Sequence, residues 1–261
     1  MSRLAGKVVL ITGTGSGQGR EAALRFTAEG AVVVGTDVNA AGAAETVELV
    51  RAGGGEMDST HPLDLGDEPA VKAWVDAAAQ RHGGIDVLYN NAGATRFSPV
   101  AETSYADWSF VMRNEIDIVF LPTKHVWPHL VARGGGSVLL IGSTAGVTGS
   151  VTNPRIAHTA SKGAVVAMAR QLAGEGARYG IRANSISPGM IATPATTLDL
   201  SAADSPLLGI AEHIPLGRVG TPAEVVNCAV FLASDEASYV TGANLMVDGG
   251  WSAVLPGPVS H

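Results

Sequence analysis

The chain has a single cysteine, Cys228, so it can form no intramolecular disulfide. That residue also belongs to no C-x-x-C or metal-ligand spacing, which suits a reducing cytoplasm and leaves Cys228 as a small buried hydrophobe. Basic residues are in deficit. The formal charge of -7 excludes the broad positive face that nucleic-acid phosphates require. No stretch approaches the ~20 apolar residues of a membrane span. Val8 to Ile11, behind Arg3 and Lys7, is too short for the apolar core of a secretory signal and reads as a first strand. There is no low-complexity linker and no internal repeat, so residues 1–261 are expected to form one domain. His129 and His213 read as surface or packing residues, and no metal triad is present, so no metal is expected.

Apolar residues make up 46% of the sequence and charged ones 16%, enough for a buried sheet covered on both faces. Strand-like runs recur at Val8 to Thr12, Ala31 to Asp37, Val87 to Asn90, Ser137 to Ile141, Arg182 to Ile186 and Asn244 to Val247. Between them, Gly19 to Glu29, Pro69 to Arg81, Tyr105 to Leu130, His158 to Tyr179 and Pro222 to Ala233 read as helices. Gly30, Gly83 and Gly180 stand where left-handed helix ends are needed. This alternation predicts βαβ units and a doubly wound parallel sheet. Residues 190–214 are irregular and form a candidate substrate lid.

The first strand runs straight into Thr12-Gly13-Thr14-Gly15-Ser16-Gly17-Gln18-Gly19, and Asp37 closes the next strand. Glycines there permit a tight turn and bring the backbone close to a pyrophosphate, which the helix N-terminus then attracts. An acid about 20 residues beyond the turn accepts from the ribose hydroxyls of NAD and repels the 2′-phosphate of NADP. No arginine or lysine stands at Thr14, Ser16 or Val38 to receive that phosphate. The expected cofactor is NAD, held by Gly13, Ser16, Gly17, Gln18, Gly19, Asp37 and Val38.

The spacing Thr12-Gly13-x-x-x-Gly17-x-Gly19, with Asn90-Asn91-Ala92-Gly93, resembles the short-chain dehydrogenase/reductase family. Asp64, Asn114, Ser143, Lys162, Pro188-Gly189 and Val247-Asp248-Gly249-Gly250 follow in that family's order, so the resemblance spans almost the whole chain. It implies a single Rossmann-type domain. It also implies that Asp64 and Leu65 hold the adenine, that Asn91, Ala92 and Gly93 support the middle of the cofactor, and that Pro188, Gly189, Ile191 and Thr193 meet the nicotinamide. Lys162 would grip the nicotinamide ribose, Ser143 would orient the substrate oxygen, and Asn114 would anchor a water in a relay to the lysine. Family members are usually dimers or tetramers built through two long helices, and the apolar content of Ile116 to Leu121 and Ala164 to Leu172 is compatible with that.

One position departs from the family. Its catalytic Tyr-x-x-x-Lys is here His158-Thr-Ala-Ser-Lys162, with the one-turn spacing kept. None of Tyr89, Tyr105, Tyr179 or Tyr239 stands at an equivalent place. His158 can itself be the acid/base, since imidazole is the commonest proton-transfer group. A water can bridge the shorter side chain to the substrate, or catalysis can be lost, leaving an NAD-binding protein. With His158 active and Lys162 as the charge beside it, a neutral imidazole and a bias toward alcohol oxidation are expected. The function expected is NAD-dependent exchange between a secondary alcohol and a ketone. Ile191, Leu198, Leu200, Leu207, Leu208, Phe97 and Trp251 suggest a small, largely apolar substrate.

Overall fold

A computed structural model of the chain describes residues 2–194, 196 and 209–254. Seven parallel strands form one sheet in the order β3-β2-β1-β4-β5-β6-β7. They are β1 (Val8–Thr12), β2 (Val32–Thr36), β3 (Glu56–Thr60), β4 (Val87–Asn90), β5 (Gly136–Ile141), β6 (Ile181–Pro188) and β7 (Asn244–Val247). Strands β1 and β4 are continuous buried runs because helices cover both faces of the sheet. Two apolar clusters, one on each face, carry the core; Phe26 and Val230 belong to one, Trp74 and Leu130 to the other.

The strands alternate with α1 (Gly17–Ala28), α2 (Ala40–Ala52), α3 (Glu68–His82), α4 (Tyr105–Met112), α5 (Ile118–Arg133), α6 (Ile156–Gly176) and α7 (Pro222–Ala233). Local chemistry sets their ends. Asp67 accepts from the Ala70 amide ahead of α3, Pro69 fits its first turn, and Gly83 closes it at φ 74°. Gly30 and Gly180 have positive φ as expected.

Strand β3 and helix α2 are the elements that periodicity does not single out. Glu-Met-Asp-Ser-Thr lacks an apolar run because β3 lies at the sheet edge, where Met57 is its one fully buried apolar side chain. The single helix expected from Tyr105 to Leu130 is instead two helices joined by a π-helical segment, Arg113–Asp117. An extra residue in that turn rotates Asn114 and Glu115 out of α-helical register. Strand order reverses between β1 and β4, whose carboxyl ends therefore open a crevice.

Candidate active site

The crevice has a volume of about 370 Å³. It gathers Gly13, Ser16, Gly17, Gln18, Asp37, Val38, Asp64, Leu65, Asn91, Ala92, Gly93, Asn114 and Thr193. Thr12 ties its two sides together: its Oγ1 accepts from the amides of Asn91 at 3.0 Å and Ala92 at 3.1 Å. A Cβ at Gly13 would lie 2.9 Å from the Ala92 Cα, and one at Gly19 would lie 1.9 Å from the Gly13 oxygen. Gly19 therefore lines no cleft; it lets α1 dock on the turn.

Asp37 accepts from the Gly15 amide and the Asn39 amide, both at 2.7 Å, so it fixes the turn while lining the crevice. Arg20 at the turn is engaged by Glu45, Thr46 and the Gly15 carbonyl. Asp64 is held below the usual carboxylate range, first by Arg113 at 2.7 Å and then by the Gly66 amide. Pro188, Gly189 and Ile191 do not line the crevice. A Cβ on Gly189 would meet Asp248, and Ile191 is buried in a bridge to Gly220. In the candidate lid, residues 195 and 197–208, including Leu198, Leu200, Leu207 and Leu208, lie outside the described residues.

The N-terminus of α1 differs from its neighbours. Asn39, Asp67 and Ser104 cap α2, α3 and α4 with side-chain oxygens, whereas Ser16 makes no such bond and leaves the leading N–H groups of α1 without a side-chain partner. Beside them the Gln18 Oε1 is buried without a hydrogen bond. Open amides, a positive dipole end and a backbone stripped of side chains fit the pyrophosphate of a dinucleotide.

Beyond the crevice, His158 and Lys162 share a face of α6. The imidazole Nδ1 lies 2.9 Å from both carboxylate oxygens of Glu115, which the π segment presents from the facing element. Glu115 is 3% exposed, so this acid sits inside the protein. Ser161 Oγ donates to it at 2.5 Å, and the Lys162 Nζ is 3.9 Å away. Burial lowers the Lys162 pKa, with the Glu115 charge opposing the shift. Lys162 Nζ also donates to the Ile141 carbonyl at 3.0 Å. The charge nearest His158 is thus a carboxylate rather than the Lys162 ammonium on which the expected bias toward oxidation rested.

Ser143 follows β5, and its Oγ accepts from the Ala145 amide at 3.1 Å, leaving the hydroxyl hydrogen to donate elsewhere. Asn114 donates from Nδ2 to the Phe110 carbonyl at 2.9 Å, and its own carbonyl accepts from the Ala94 amide at 3.2 Å. The edge of Phe97 meets the His158 ring at a centroid distance of 5.4 Å. Tyr89 is fully buried and stacked on Phe26, so its phenol cannot take the place left by His158. Glu115 is the residue that sequence reasoning missed. An acid in Arg-Asn-Glu-Ile-Asp reads as a solvated helix charge, and the signal that singles it out is its coincidence with His158.

A family model described as Enoyl-(Acyl carrier protein) reductase matches residues 13–252. The chain belongs to the short-chain dehydrogenase/reductase family. It is 38% identical over 250 residues to the 3-oxoacyl-(acyl-carrier-protein) reductase FabG of Thermotoga maritima, covering 95% of this chain and 98% of that one. The structure of a 7α-hydroxysteroid dehydrogenase complexed with NADH is similar at TM-score 0.89 and 33% identity, covering 95% of each chain. An Agrobacterium tumefaciens structure with bound NADP is similar at TM-score 0.86 and 36% identity, covering 96% of this chain and 98% of that one. This chain is an oxidoreductase of the family, acting on CH–OH groups with a nicotinamide cofactor. Among its described residues, no helix is long and apolar enough to cross a membrane.

Proposed function

We propose that the protein interconverts a small secondary alcohol and its ketone with NAD, and that His158 carries the proton. The observation that supports this most is the Glu115 carboxylate at 2.9 Å from His158 Nδ1, one helical turn from Lys162. A buried acid on one ring nitrogen is the arrangement that orients an imidazole for proton transfer.

A bound nicotinamide would supply the hydride chemistry, accepting as NAD and donating as NADH. The rest falls to the chain. Glu115 accepts from the Nδ1 hydrogen, which leaves Nε2 as the ring nitrogen that takes the alcohol proton or returns it to the ketone oxygen. Ser143, its Oγ already accepting from Ala145, donates to the substrate oxygen as charge develops there. Lys162 holds the nicotinamide ribose from its buried seat, and the Asn114 carbonyl steadies a water between that lysine and solvent. Asp37 selects NAD over NADP, because a carboxylate at the ribose repels a 2′-phosphate and the nearby Arg20 is neutralised by Glu45. Gly13, Ser16, Gly17 and Gln18 seat the pyrophosphate, Asp64 and Leu65 flank the adenine, and Thr193 meets the nicotinamide end. Phe97 against His158 and Trp251 farther along suit a largely apolar substrate body. The protein works as a dimer or tetramer packed through α5 and α6, where Phe120 leaves half its surface open.

The test is NADH formation from NAD across a panel of secondary alcohols, with NADP in parallel. Turnover with NAD favoured at least tenfold over NADP is expected. Tight NAD binding without turnover on any alcohol would instead identify a non-catalytic NAD-binding protein.

A further inference from the structure

A second cleft, of about 450 Å³, lies along the segment that joins Ser143 to His158. Its lining includes Thr144, Thr148, Arg155, His213 and Trp251. No acidic side chain lines it among the described residues. Arg155 immediately precedes α6 and stands three residues before His158, while Thr144 directly follows Ser143. A molecule seated here is therefore close in the chain to both residues assigned to the substrate oxygen.

The state of Arg155 is unlike that of the other arginines. Its Nε is buried with no hydrogen-bond partner, and among the described residues its guanidinium makes no ion pair. Arg3, Arg20, Arg113, Arg133 and Arg218 all face carboxylates, and the half-buried Arg182 donates to the Val240 and Ser234 carbonyls. Burial alone displaces the Arg155 pKa downward, with no neighbouring acid to offset it. An Nε–H withdrawn from water on a half-buried guanidinium and left without an acceptor is costly, and a ligand that supplies one relieves that cost. Its planar fork matches a carboxylate in two parallel hydrogen bonds.

We propose that this cleft seats a carboxylate of the substrate on Arg155, so that the alcohol or ketone acted on is a small hydroxy or oxo acid. This rests on the alcohol–ketone exchange proposed above and adds its substrate class; the apolar expectation then describes the body of the molecule and not its end. A single guanidinium matches one negative charge, and Thr144 lines the same wall, where its carbonyl accepts from the Thr148 hydroxyl at 2.9 Å. His213, read from sequence as a surface or packing residue, stands at the rim.

The experiment compares hydroxy acids of three to six carbons with their methyl esters and with phosphate monoesters of matching length, as substrates of the NAD-loaded protein. Calorimetric binding of the corresponding oxo acids and esters to the NADH-loaded protein is read alongside, because it needs no turnover. The expected result is that at least one acid exceeds its ester tenfold or more, and that Arg155→Gln lowers this acid-to-ester ratio by about 10–100-fold. Arg155→Lys, which keeps the charge and loses the fork, is expected to retain part of the ratio, and unchanged NAD affinity shows that both variants are folded. Equal treatment of acid and ester by the natural protein, an unmoved ratio in Arg155→Gln, or preference for the phosphate monoester overturns the proposal. Arg155-dependent acid binding without hydride transfer would leave the carboxylate seat standing and remove the catalytic reading; turnover of neutral alcohols alone would do the reverse.

Discussion

On the glycine-turn side the site is walled by backbone, with Gly13 leaving no room for a Cβ against Ala92. On the proton side it is walled by side chains, the partly buried His158 and the buried Glu115, Ser161 and Lys162, supplied by α6 and the π segment. The first side is built on a local object, a strand, a turn and a helix in one stretch, to which Asp37 and Asn91–Ala92 are tied. The second joins residues 43 positions apart, and neither partner explains itself alone. Substitutions should therefore divide: those in the turn change cofactor affinity, and those around His158 change the rate with the cofactor still bound.

The largest effect expected is that of His158→Gln, which removes the proton-transfer group while keeping a polar side chain of similar reach. Hydride transfer should fall by about 10²–10⁴ in single-turnover kinetics, with NAD affinity moving less than about threefold. Glu115→Gln should lower kcat by about 10–100-fold, as loss of a charged partner to a catalytic group does. It should also change the shape of the pH–rate profile, which loss of packing alone would leave alone. An unmoved KM would place the effect in the chemical step.

On the other side, Asp37→Ser should weaken NAD by about tenfold and raise the relative use of NADP, because one carboxylate then leaves both the ribose site and the Gly15 amide. Competition binding with the two cofactors reads this directly. The smallest effect belongs to a helix end remote from both sides. Glu224 accepts from the Thr221 amide and from Arg218 at the start of α7, which lowers its pKa to about 2. That stabilisation is complete above the ordinary value of 4.5 and is lost as pH falls through about 2. Because the Glu224 side chain is 39% exposed and screened by solvent, Glu224→Gln should cost only about 0.5–1 kcal/mol at neutral pH in urea unfolding, and nothing at the acid end.

How much the sequence discloses follows the same division. Val8 to Gly19 carries strand, turn and helix in one stretch, so its geometry is legible without coordinates; what the structure adds is that Gly19 also lets α1 dock on the turn. Asp37 is legible in position but not in its second duty of holding the turn. Gly189 and Ile191 are legible as a family pattern but not in their packing, Gly189 against Asp248 and Ile191 in a bridge to Gly220. Glu115 stays hidden because the π segment that turns it inward has no sequence signature, and because the reason for a buried acid lies on a different helix. Arg155 is hidden likewise, since an arginine before a helix reads as solvated until its Nε is seen buried and unpartnered.

In the proposed reaction His158, oriented by Glu115, is the working acid/base and not the remnant of a lost tyrosine. Replacing His158 by tyrosine tests it by the sign of the effect, measured as single-turnover hydride transfer with NAD saturating. A loss of at least about tenfold is expected, because a phenolate formed there would face the Glu115 carboxylate that lies 2.9 Å from the imidazole Nδ1. A gain in rate on restoring tyrosine would contradict it and identify the natural site as a disabled one.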